Sequence, residues 1–218
     1  SAADPRAAEA GVDMLRLGGT ATDAAIATML ALTVVEPQSS GIGGGGFLVL
    51  GDAAGKVETV DGRETAPKAA GPQWFYVNGQ PLPIVEAIPG GRSVGVPGNL
   101  RLAALAHAHH GKLAWRALFQ PAIRLARDGF VMTPRLYAML SRFPRTGALD
   151  PQARAIYYGA DGQPLPAGTV IRNPALAETL EKIAAQGADS FYAGDNAGTV
   201  AAKVGTAPRN PAPLTTAD

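Results

Sequence analysis

The sequence predicts an α+β fold with many helices and few strands, and two observations support it. Most of the chain carries apolar residues at helical spacing, with cap residues, proline and glycine at the expected helix ends. Two short apolar runs, 47–50 and 57–60, flank a turn at 51–55 and indicate a β-hairpin. Because two isolated strands are marginally stable in water, we expect residues outside this chain to complete the sheet.

Composition limits the class of protein. With 218 residues, of which 46% are hydrophobic, the chain is long enough for one domain with a sizeable core. Charged residues make up only 17%, which fits either a surface covered by another chain or dilution by alanine and glycine. The net charge of +1, without a run of like charges, gives no sign of nucleic-acid binding. The absence of cysteine excludes a disulfide scaffold and a thiol nucleophile.

The sequence also bears on membranes and export. No apolar run approaches the ~20 residues that a membrane span needs, so no span is expected. No signal peptide is recognisable, and helical patterning begins near the first residue, which fits the removal of a leader.

Two helices open the chain. The first starts at the cap pair Asp4-Pro5 and ends at Gly18-Gly19. Its apolar residues at helical spacing are Ala8, Val12 and Leu15. The second helix covers about 22–35 and is apolar almost all round, which is typical of a helix buried on several sides. Pro37 stops it.

Beyond the hairpin, residues 71–98 are rich in proline and glycine and predict an irregular loop. Helical patterning then resumes at Asn99, and Pro121 predicts a kink or break farther along. Further helices are predicted from Thr133-Pro134 to near Pro144, from Asn173-Pro174 to Gly187, and over 191–204.

Several candidate sites can be weighed from residue types alone. The three histidines, His107, His109 and His110, suit a helix C-terminus and lack a carboxylate at helical ligand spacing, so no metal site is expected. The glycine run 41–46 follows a helix and opens a strand, which is the wrong order for a dinucleotide-binding loop. It fits either a close backbone crossing beside a site or a purely structural turn. No serine nucleophile elbow is recognisable at Ser39-Ser40.

Arg63 is the sharpest candidate for ligand binding. It lies just past the second strand of the hairpin, within the segment 61–67 (DGRETAP), and the glycine run precedes that hairpin. A guanidinium can hold a carboxylate through two parallel hydrogen bonds. The alternative is a structural salt bridge with neighbouring Asp61 or Glu64.

Seven ordered motifs resemble the gamma-glutamyltransferase (gamma-glutamyltranspeptidase) family over nearly the whole chain. They lie at 10–25, 36–47, 61–67, 92–98, 121–130, 173–177 and 187–192. The resemblance implies an N-terminal nucleophile hydrolase with an αββα sandwich, to which this chain supplies helices and a few strands. It further implies a precursor that cuts itself, freeing a nucleophilic threonine at the start of a small subunit.

The same resemblance assigns roles and partners. Arg63 matches the arginine that holds the α-carboxylate of the γ-glutamyl donor, and Glu64 is expected to orient its guanidinium. The glycine run would pack near the site as scaffold. The expected substrates are glutathione and related γ-glutamyl amides, the expected partner is the small subunit, and no metal or cofactor is implied. Family members in bacteria are usually exported, so a periplasmic or secreted location is expected.

The chain departs from the family pattern by resembling only the first part of the large subunit. We therefore expect residues 1–218 to be one partial domain without a catalytic residue of its own. Thr215-Thr216 matches a family segment well before the cleavage point and is not the nucleophile. Two alternatives stay open: a glutaryl or cephalosporin acylase of the same fold, and a non-catalytic homologue that acts as an interaction module.

Overall fold

The structure is a computed structural model that describes residues 1–143 and 147–218. It contains two compact units. Unit 1 comprises residues 1–42 and 103–187, and unit 2 comprises residues 43–102 and 188–218. In the described part of the chain, no helix is both long enough and apolar enough to cross a membrane.

Unit 1 is built mainly from packed helices. Helix α2 (Ala21–Val35) packs against α1 (Pro5–Arg16) and α5 (Trp115–Asp128), and α5 packs against α8 (Pro174–Gln186). Its smaller helices are α6 (Pro134–Arg142) and α7 (Pro151–Tyr157). The residues that fill the space between these helices are Ala27, Leu30, Ala31, Leu118, Phe119, Leu180 and Ile183, each fully buried.

The helix starts follow the sequence prediction closely. Asp4, Thr133 and Asn173 each occupy an N-cap, and each side chain accepts a hydrogen bond from a backbone N–H of the first turn. Proline occupies the first helical turn in all three helices, where its missing N–H costs nothing. Helix α6 ends at Arg142, and Pro144, where the sequence predicted its end, lies outside the described residues.

The buried face of α1 differs from the one that the apolar spacing indicated. Val12 and Leu15 are exposed, whereas Ala7, Ala10, Gly11 and Met14 are buried. The reason is a close crossing of α1 and α2, in which a Cβ on Gly11 would run into Thr28 Oγ1 and lie 3.0 Å from Ala24 O. Small residues permit the two helices to approach closely. Helix α1 therefore packs against α2 through the face that contains Gly11, and the face that contains Val12 and Leu15 stays exposed.

Two features of unit 1 escaped the sequence prediction. Helix α5 continues through Pro121 without interruption of the helical range, although Pro121 provides no N–H for the helix ladder. Strands β5 (Phe130–Val131) and β6 (Val170–Ile171) form a short antiparallel pair. Strands of two residues carry no detectable alternation, which explains why the pattern did not reveal them.

Unit 2 contains the predicted hairpin. Strand β1 (Gly46–Gly51) pairs antiparallel with β2 (Val57–Gly62), with Val49 opposite Thr59 and Gly46 opposite Gly62. The side chains alternate between a half-buried and an exposed face along both strands. The exposed face carries Phe47, Val49 and Val57.

The region 71–98 of unit 2 is less irregular than predicted. It contains a second hairpin, β3 (Tyr76–Val77) with β4 (Gln80–Pro81), followed by α3 (Ile84–Ala87) and a 3₁₀ turn at Gly91–Ser93. Asn78 and Gly79 connect β3 and β4 with positive φ angles of 52° and 78°. An Asn-Gly pair is a strong hairpin signal, so the sequence did contain the information.

The remaining elements of unit 2 come from both ends of its sequence. Helix α4 (Asn99–His110) begins here, and α9 (Asp189–Tyr192) and α10 (Gly194–Gly205) follow later in the chain. The helix predicted over 191–204 is therefore two helices, interrupted at Ala193. A small core is formed by Val204, Ala212 and Leu214, with Trp74, Val94, Val96 and Val200 packed against it.

Candidate functional site

Arg63 lies at the exit of strand β2, where the sequence placed it. Its backbone N–H donates to Asp61 Oδ1 at 2.9 Å, so Asp61 shapes the turn instead of pairing with the guanidinium. The Arg63 side chain is 54% exposed, and that of Glu64 is 26% exposed. The arginine is thus held at its base and open to solvent at its tip.

The guanidinium makes both of its contacts through one nitrogen. Nη1 lies 3.0 Å from Glu64 Oε2 and 3.5 Å from the carbonyl oxygen of Gly45. Nε and Nη2 of Arg63 donate no hydrogen bond to any of the described residues. These two nitrogens form the edge that binds a carboxylate in a two-bond fork. Arg63 can therefore pair with Glu64 through Nη1 and still bind a carboxylate through its other edge.

The glycine run packs directly against residues 61–68, which we call the arginine segment, as predicted for a close backbone crossing. A Cβ on Gly45 would lie 2.6 Å from both Glu64 N and Gly62 O. A Cβ on Gly98 would overlap the Gly62 carbonyl and lie 3.1 Å from Arg63 O. Real side chains do not make such contacts, so glycine at these positions lets three backbone segments meet around Arg63.

The start of α4 is tied into the same crossing. The Gly44 carbonyl accepts from Gly98 N at 2.9 Å and from Asn99 N at 3.0 Å. Leu102, one turn into α4, is nearly buried and lies where a Cβ on Gly62 would be. The helix start, the glycine run and the end of β2 consequently form one connected support for Arg63.

The segment that follows Arg63 has two further attachments. Thr65 pairs with Val96, whose N–H donates to Thr65 O at 2.9 Å. Lys68 N donates to Asp218 Oδ1 at 2.8 Å, and Lys68 Nζ donates to the carbonyl of Ala217. No pattern in the sequence indicates this contact between Lys68 and Asp218.

The threonines near the end of the chain take part in a turn. Thr215 N and Thr215 Oγ1 both donate to Asp218 Oδ2, at 2.8 and 2.9 Å. Hydrogen bonds from the backbone of Lys68, and then from the backbone and hydroxyl of Thr215, lower the pKa of Asp218 below its usual range. A cavity of about 60 Å³ adjoins this turn, far below the ~300 Å³ of a typical small-molecule pocket.

The histidine tract lies in unit 1, at the end of α4. His107 Nε2 is 2.8 Å from Leu113 O and 3.8 Å from Asp23 Oδ1. Asp23 is fully buried and accepts from the backbone N–H groups of Thr20, Lys112 and Leu113. Burial acts to raise the pKa of Asp23, but these hydrogen bonds outweigh it and lower the pKa. His107 and Asp23 thus close the loop between α4 and α5.

Ser39 and Ser40 also have structural contacts. Their backbone N–H groups donate to Glu36 O at 2.9 and 3.0 Å. The Glu36 side chain is buried, and its Oε2 accepts from Arg135 Nε at 2.9 Å and from Gln38 Nε2 at 2.7 Å. This carboxylate joins Arg135 and Gln38 just before the glycine run, and no sequence pattern indicates that role.

Comparison with known proteins gives a consistent result. The model of the gamma-glutamyltranspeptidase family matches residues 7–218. The chain is 48% identical over 190 residues to scoloptoxin SSD14 of Scolopendra dehaani, covering 86% of this chain and 32% of that protein. It is 39% identical over 204 residues to the glutathione hydrolase proenzyme of Bacillus subtilis (strain 168), covering 91% and 34%. The chain thus spans about a third of these relatives' length.

Several solved structures match the fold, and the following two are examples. The gamma-glutamyltranspeptidase of Helicobacter pylori superposes with a TM-score of 0.92 at 29% identity, over 100% of this chain and 62% of that one. The cephalosporin acylase of Bacillus halodurans superposes with a TM-score of 0.83 at 32% identity, over 97% and 39%. These likenesses confirm the predicted α+β fold of the N-terminal nucleophile hydrolase type, and with the family match they lead to one conclusion: the chain belongs to the gamma-glutamyltranspeptidase family.

Proposed function

We propose that this chain is part of the large subunit of a gamma-glutamyltransferase that acts on glutathione and related γ-glutamyl amides. In this proposal, Arg63 binds the α-carboxylate of the donor. The observation that carries the proposal is a half-exposed arginine whose Nη1 is held by Glu64 and whose Nε–Nη2 edge makes no hydrogen bond to any described residue. Family membership and the name of the Bacillus subtilis relative, a glutathione hydrolase proenzyme, support the choice of substrate.

The geometry favours a role for Arg63 in orientation. A guanidinium remains charged at all physiological pH values and cannot exchange a proton with substrate. Two parallel hydrogen bonds to the donor carboxylate would fix the direction in which the γ-carbonyl points. Glu64 would hold Nη1 and thereby set the orientation of the free edge.

The chemistry itself would come from a small subunit made from the same precursor. A threonine hydroxyl there attacks the γ-carbonyl, its own α-amine takes the proton, and the amine of the leaving group departs after protonation. A γ-glutamyl ester forms, and water or an amino acid then releases the γ-glutamyl group. Residues 1–218 would be one partial domain of this enzyme, and the processed protein would be exported.

The supporting scaffold fits this division of labour. The cavity beside Thr215 in unit 2 measures about 60 Å³, too small for glutathione. A larger, open cavity of about 610 Å³ lies in the same unit at Trp74 and Arg92, and Arg63 lines neither of the two. Arg63 instead faces solvent, beside three backbone segments that cannot shift easily because glycines pack at their crossings. A rigid arginine on an open surface is suited to a site whose other wall comes from a second polypeptide.

The proposal is tested by replacing Arg63 in the full-length processed protein. Arg63→Ala should raise the KM for γ-glutamyl-p-nitroanilide about 30-fold or more, because a charged partner is removed from the substrate carboxylate. Arg101→Ala is the matched control, since Arg101 is 56% exposed and pairs with Asp189 in the same unit. An unchanged KM in Arg63→Ala, with a normal wild-type rate, would leave Arg63 as a structural residue.

A second candidate is an acylase that cleaves a glutaryl or cephalosporin side chain. The likeness to the Bacillus halodurans acylase favours it, and a glutaryl group also ends in a carboxylate that Arg63 can bind. Comparing the turnover of γ-glutamyl and glutaryl p-nitroanilides separates the two, since only the γ-glutamyl donor carries an α-amine. Intact-mass analysis separates both from a non-catalytic homologue, because an enzyme requires a second polypeptide that begins with threonine.

A further inference from the structure

We propose that Asp218 is a positioning residue for donor binding, acting through the backbone of Lys68 on the segment that carries Arg63. We call the hydrogen bonds that join Lys68 to residues 217–218 the Lys68–Asp218 clasp. The proposal rests on the donor-binding role proposed for Arg63 and adds a residue far away in sequence, since Lys68 and Asp218 are 150 positions apart.

The clasp fixes the downstream end of the arginine segment. Upstream, Arg63 is held by Asp61 and by the glycine crossings. In the middle, Thr65 pairs with Val96. Lys68 is exposed, although the preceding Pro67 is buried, and the Lys68 N–H donates to Asp218 Oδ1 at 2.8 Å. Between Arg63 and Lys68 the segment is therefore held by the Thr65 pairing and by the burial of Pro67, and the bond to Asp218 fixes the backbone at Lys68.

Asp218 is itself fixed to the core of unit 2. Its Oδ2 accepts from Thr215 N and Thr215 Oγ1, which closes a tight turn. Leu214, adjacent to that turn, is buried with Val204 and Ala212. Val96 packs against the same cluster. The apolar cluster thus supports both Val96, which pairs with Thr65, and the turn that contains Asp218. Through the clasp, the position of that turn determines the position of the Lys68 backbone.

The character of the Asp218 carboxylate suits such a role. Each oxygen accepts at least one hydrogen bond from a neutral donor, and Lys68 Nζ adds a positive charge nearby through its bond to Ala217 O. Hydrogen bonds of this kind favour the ionised form and lower the pKa of Asp218. Asp218 is therefore ionised at neutral pH and can accept the hydrogen bonds of the clasp.

A double-mutant cycle in the full-length processed protein tests the proposal. Asp218→Ala should raise the KM for γ-glutamyl-p-nitroanilide about fivefold while kcat stays within about twofold, because orientation of the donor is lost and the nucleophile is untouched. In an Arg63→Ala background, Asp218→Ala should change kcat/KM by less than about twofold. Asp218→Asn keeps an acceptor for Lys68 N and should restore most of the wild-type KM.

Two controls separate positioning from general stability. Asp52→Ala removes a similar carboxylate turn in the same unit, where Asp52 Oδ1 accepts from Ala54 N and Lys56 N at 2.9 Å each. It should leave KM unchanged. Hydrogen exchange should be faster at the Lys68 amide in Asp218→Ala than in wild type, with the hairpin amides unaffected.

The outcomes are distinguishable. Two results would overturn the positioning role while wild-type turnover stays normal. One is an effect of Asp218→Ala on kcat/KM that is equally large with and without Arg63. The other is a fall in kcat at constant KM. Wild-type protein that is processed but turns over no γ-glutamyl substrate would overturn the proposed function and the donor-binding role of Asp218 with it.

Discussion

At the scale of single residues, the ion pair with Glu64 restrains the Arg63 guanidinium and leaves one edge of it available to a ligand. Glu64 Oε2 is buried and 3.0 Å from Arg63 Nη1, yet it makes no well-aligned hydrogen bond in the described part of the chain. The attraction between Glu64 and Arg63 is therefore mainly electrostatic and is not a well-directed hydrogen bond. An acid placed this way can restrain a guanidinium without occupying the edge that a ligand needs.

Replacing Glu64 tests that description. Glu64→Gln keeps the volume and removes the charge, so we expect the KM for a γ-glutamyl donor to rise about fivefold as Arg63 becomes free to turn. Steady-state kinetics on the processed protein measure the effect. Glu86→Gln, which removes the charge that pairs with Arg209 in the same unit, should leave KM unchanged. A Glu64→Gln enzyme with wild-type KM would show that the Glu64 charge does not orient Arg63.

At the scale of elements, the capping residues account for what the sequence could predict about unit 1. Asp4, Thr133 and Asn173 marked helix starts because their side chains bond to the local backbone, and such contacts are encoded within a few residues. The packed face of α1 was predicted wrongly because Gly11 meets Thr28 of a different helix. The pair β5–β6 was missed because its two strands are 40 residues apart and only two residues long.

Asp23 holds both the start of α2 and the loop between α4 and α5. It closes the capping box of α2 with Thr20 and also holds the backbone of Lys112 and Leu113. We expect Asp23→Asn to lower the free energy of unfolding by about 2 kcal/mol at pH 7, because a buried network loses its charged acceptor. Asp13→Asn, which affects only an exposed i,i+3 pair with Arg16, should change it by less than about 0.5 kcal/mol.

The same substitution predicts a dependence on pH. Because the folded-state pKa of Asp23 lies below its ordinary value, the ionised side chain stabilises the fold at pH values above about 4, and the contribution is lost as the pH falls further. The difference between wild type and Asp23→Asn should therefore shrink at acidic pH. Urea unfolding followed by the fluorescence of Trp115, whose ring lies 5.3 Å from that of His107, measures it. A difference that stays constant down to pH 3 would contradict the ionised role.

At the scale of the whole molecule, the hairpin β1–β2 exposes a surface that the described residues do not cover. Phe47 and Val49 are each 68% exposed, and they share the face with Val57. Soluble proteins rarely leave such a row of apolar side chains open on a two-stranded sheet. We therefore expect another part of the same precursor to cover this face in the processed enzyme.

A charge on that face should prevent the covering. Val49→Asp in the full-length protein is expected to reduce the yield of processed two-subunit enzyme or its melting temperature by several degrees, because a carboxylate would be buried without a partner. Ala53→Asp places the same charge at the exposed tip of the same hairpin and should have little effect. Equal yields and melting temperatures for both variants would show that the face is open in the mature protein.

The sequence was sufficient to place Arg63, because the residue and its motif are contiguous and directly follow a predictable strand. It was also sufficient to suggest a backbone crossing at the glycine run. It did not reveal Glu36 or Asp218 as supports, since their partners Arg135 and Lys68 lie 99 and 150 positions away. A single sequence contains no signal that links residues at such separations.

The divided sequence of unit 2 has a consequence for the time at which the arginine segment becomes ordered. Residues 188–218 supply Asp218 and most of the small apolar core, but the ribosome makes them after all of unit 1. Because Asp218 lies 150 positions after Lys68, it follows Lys68 by roughly 8 to 30 seconds at about 5–20 residues per second. During that interval the helices of unit 1 can already fold, whereas the arginine segment waits for its last attachment. The segment that carries Arg63, for which we propose carboxylate binding, therefore receives its attachment to Asp218 only after all of unit 1 has been made.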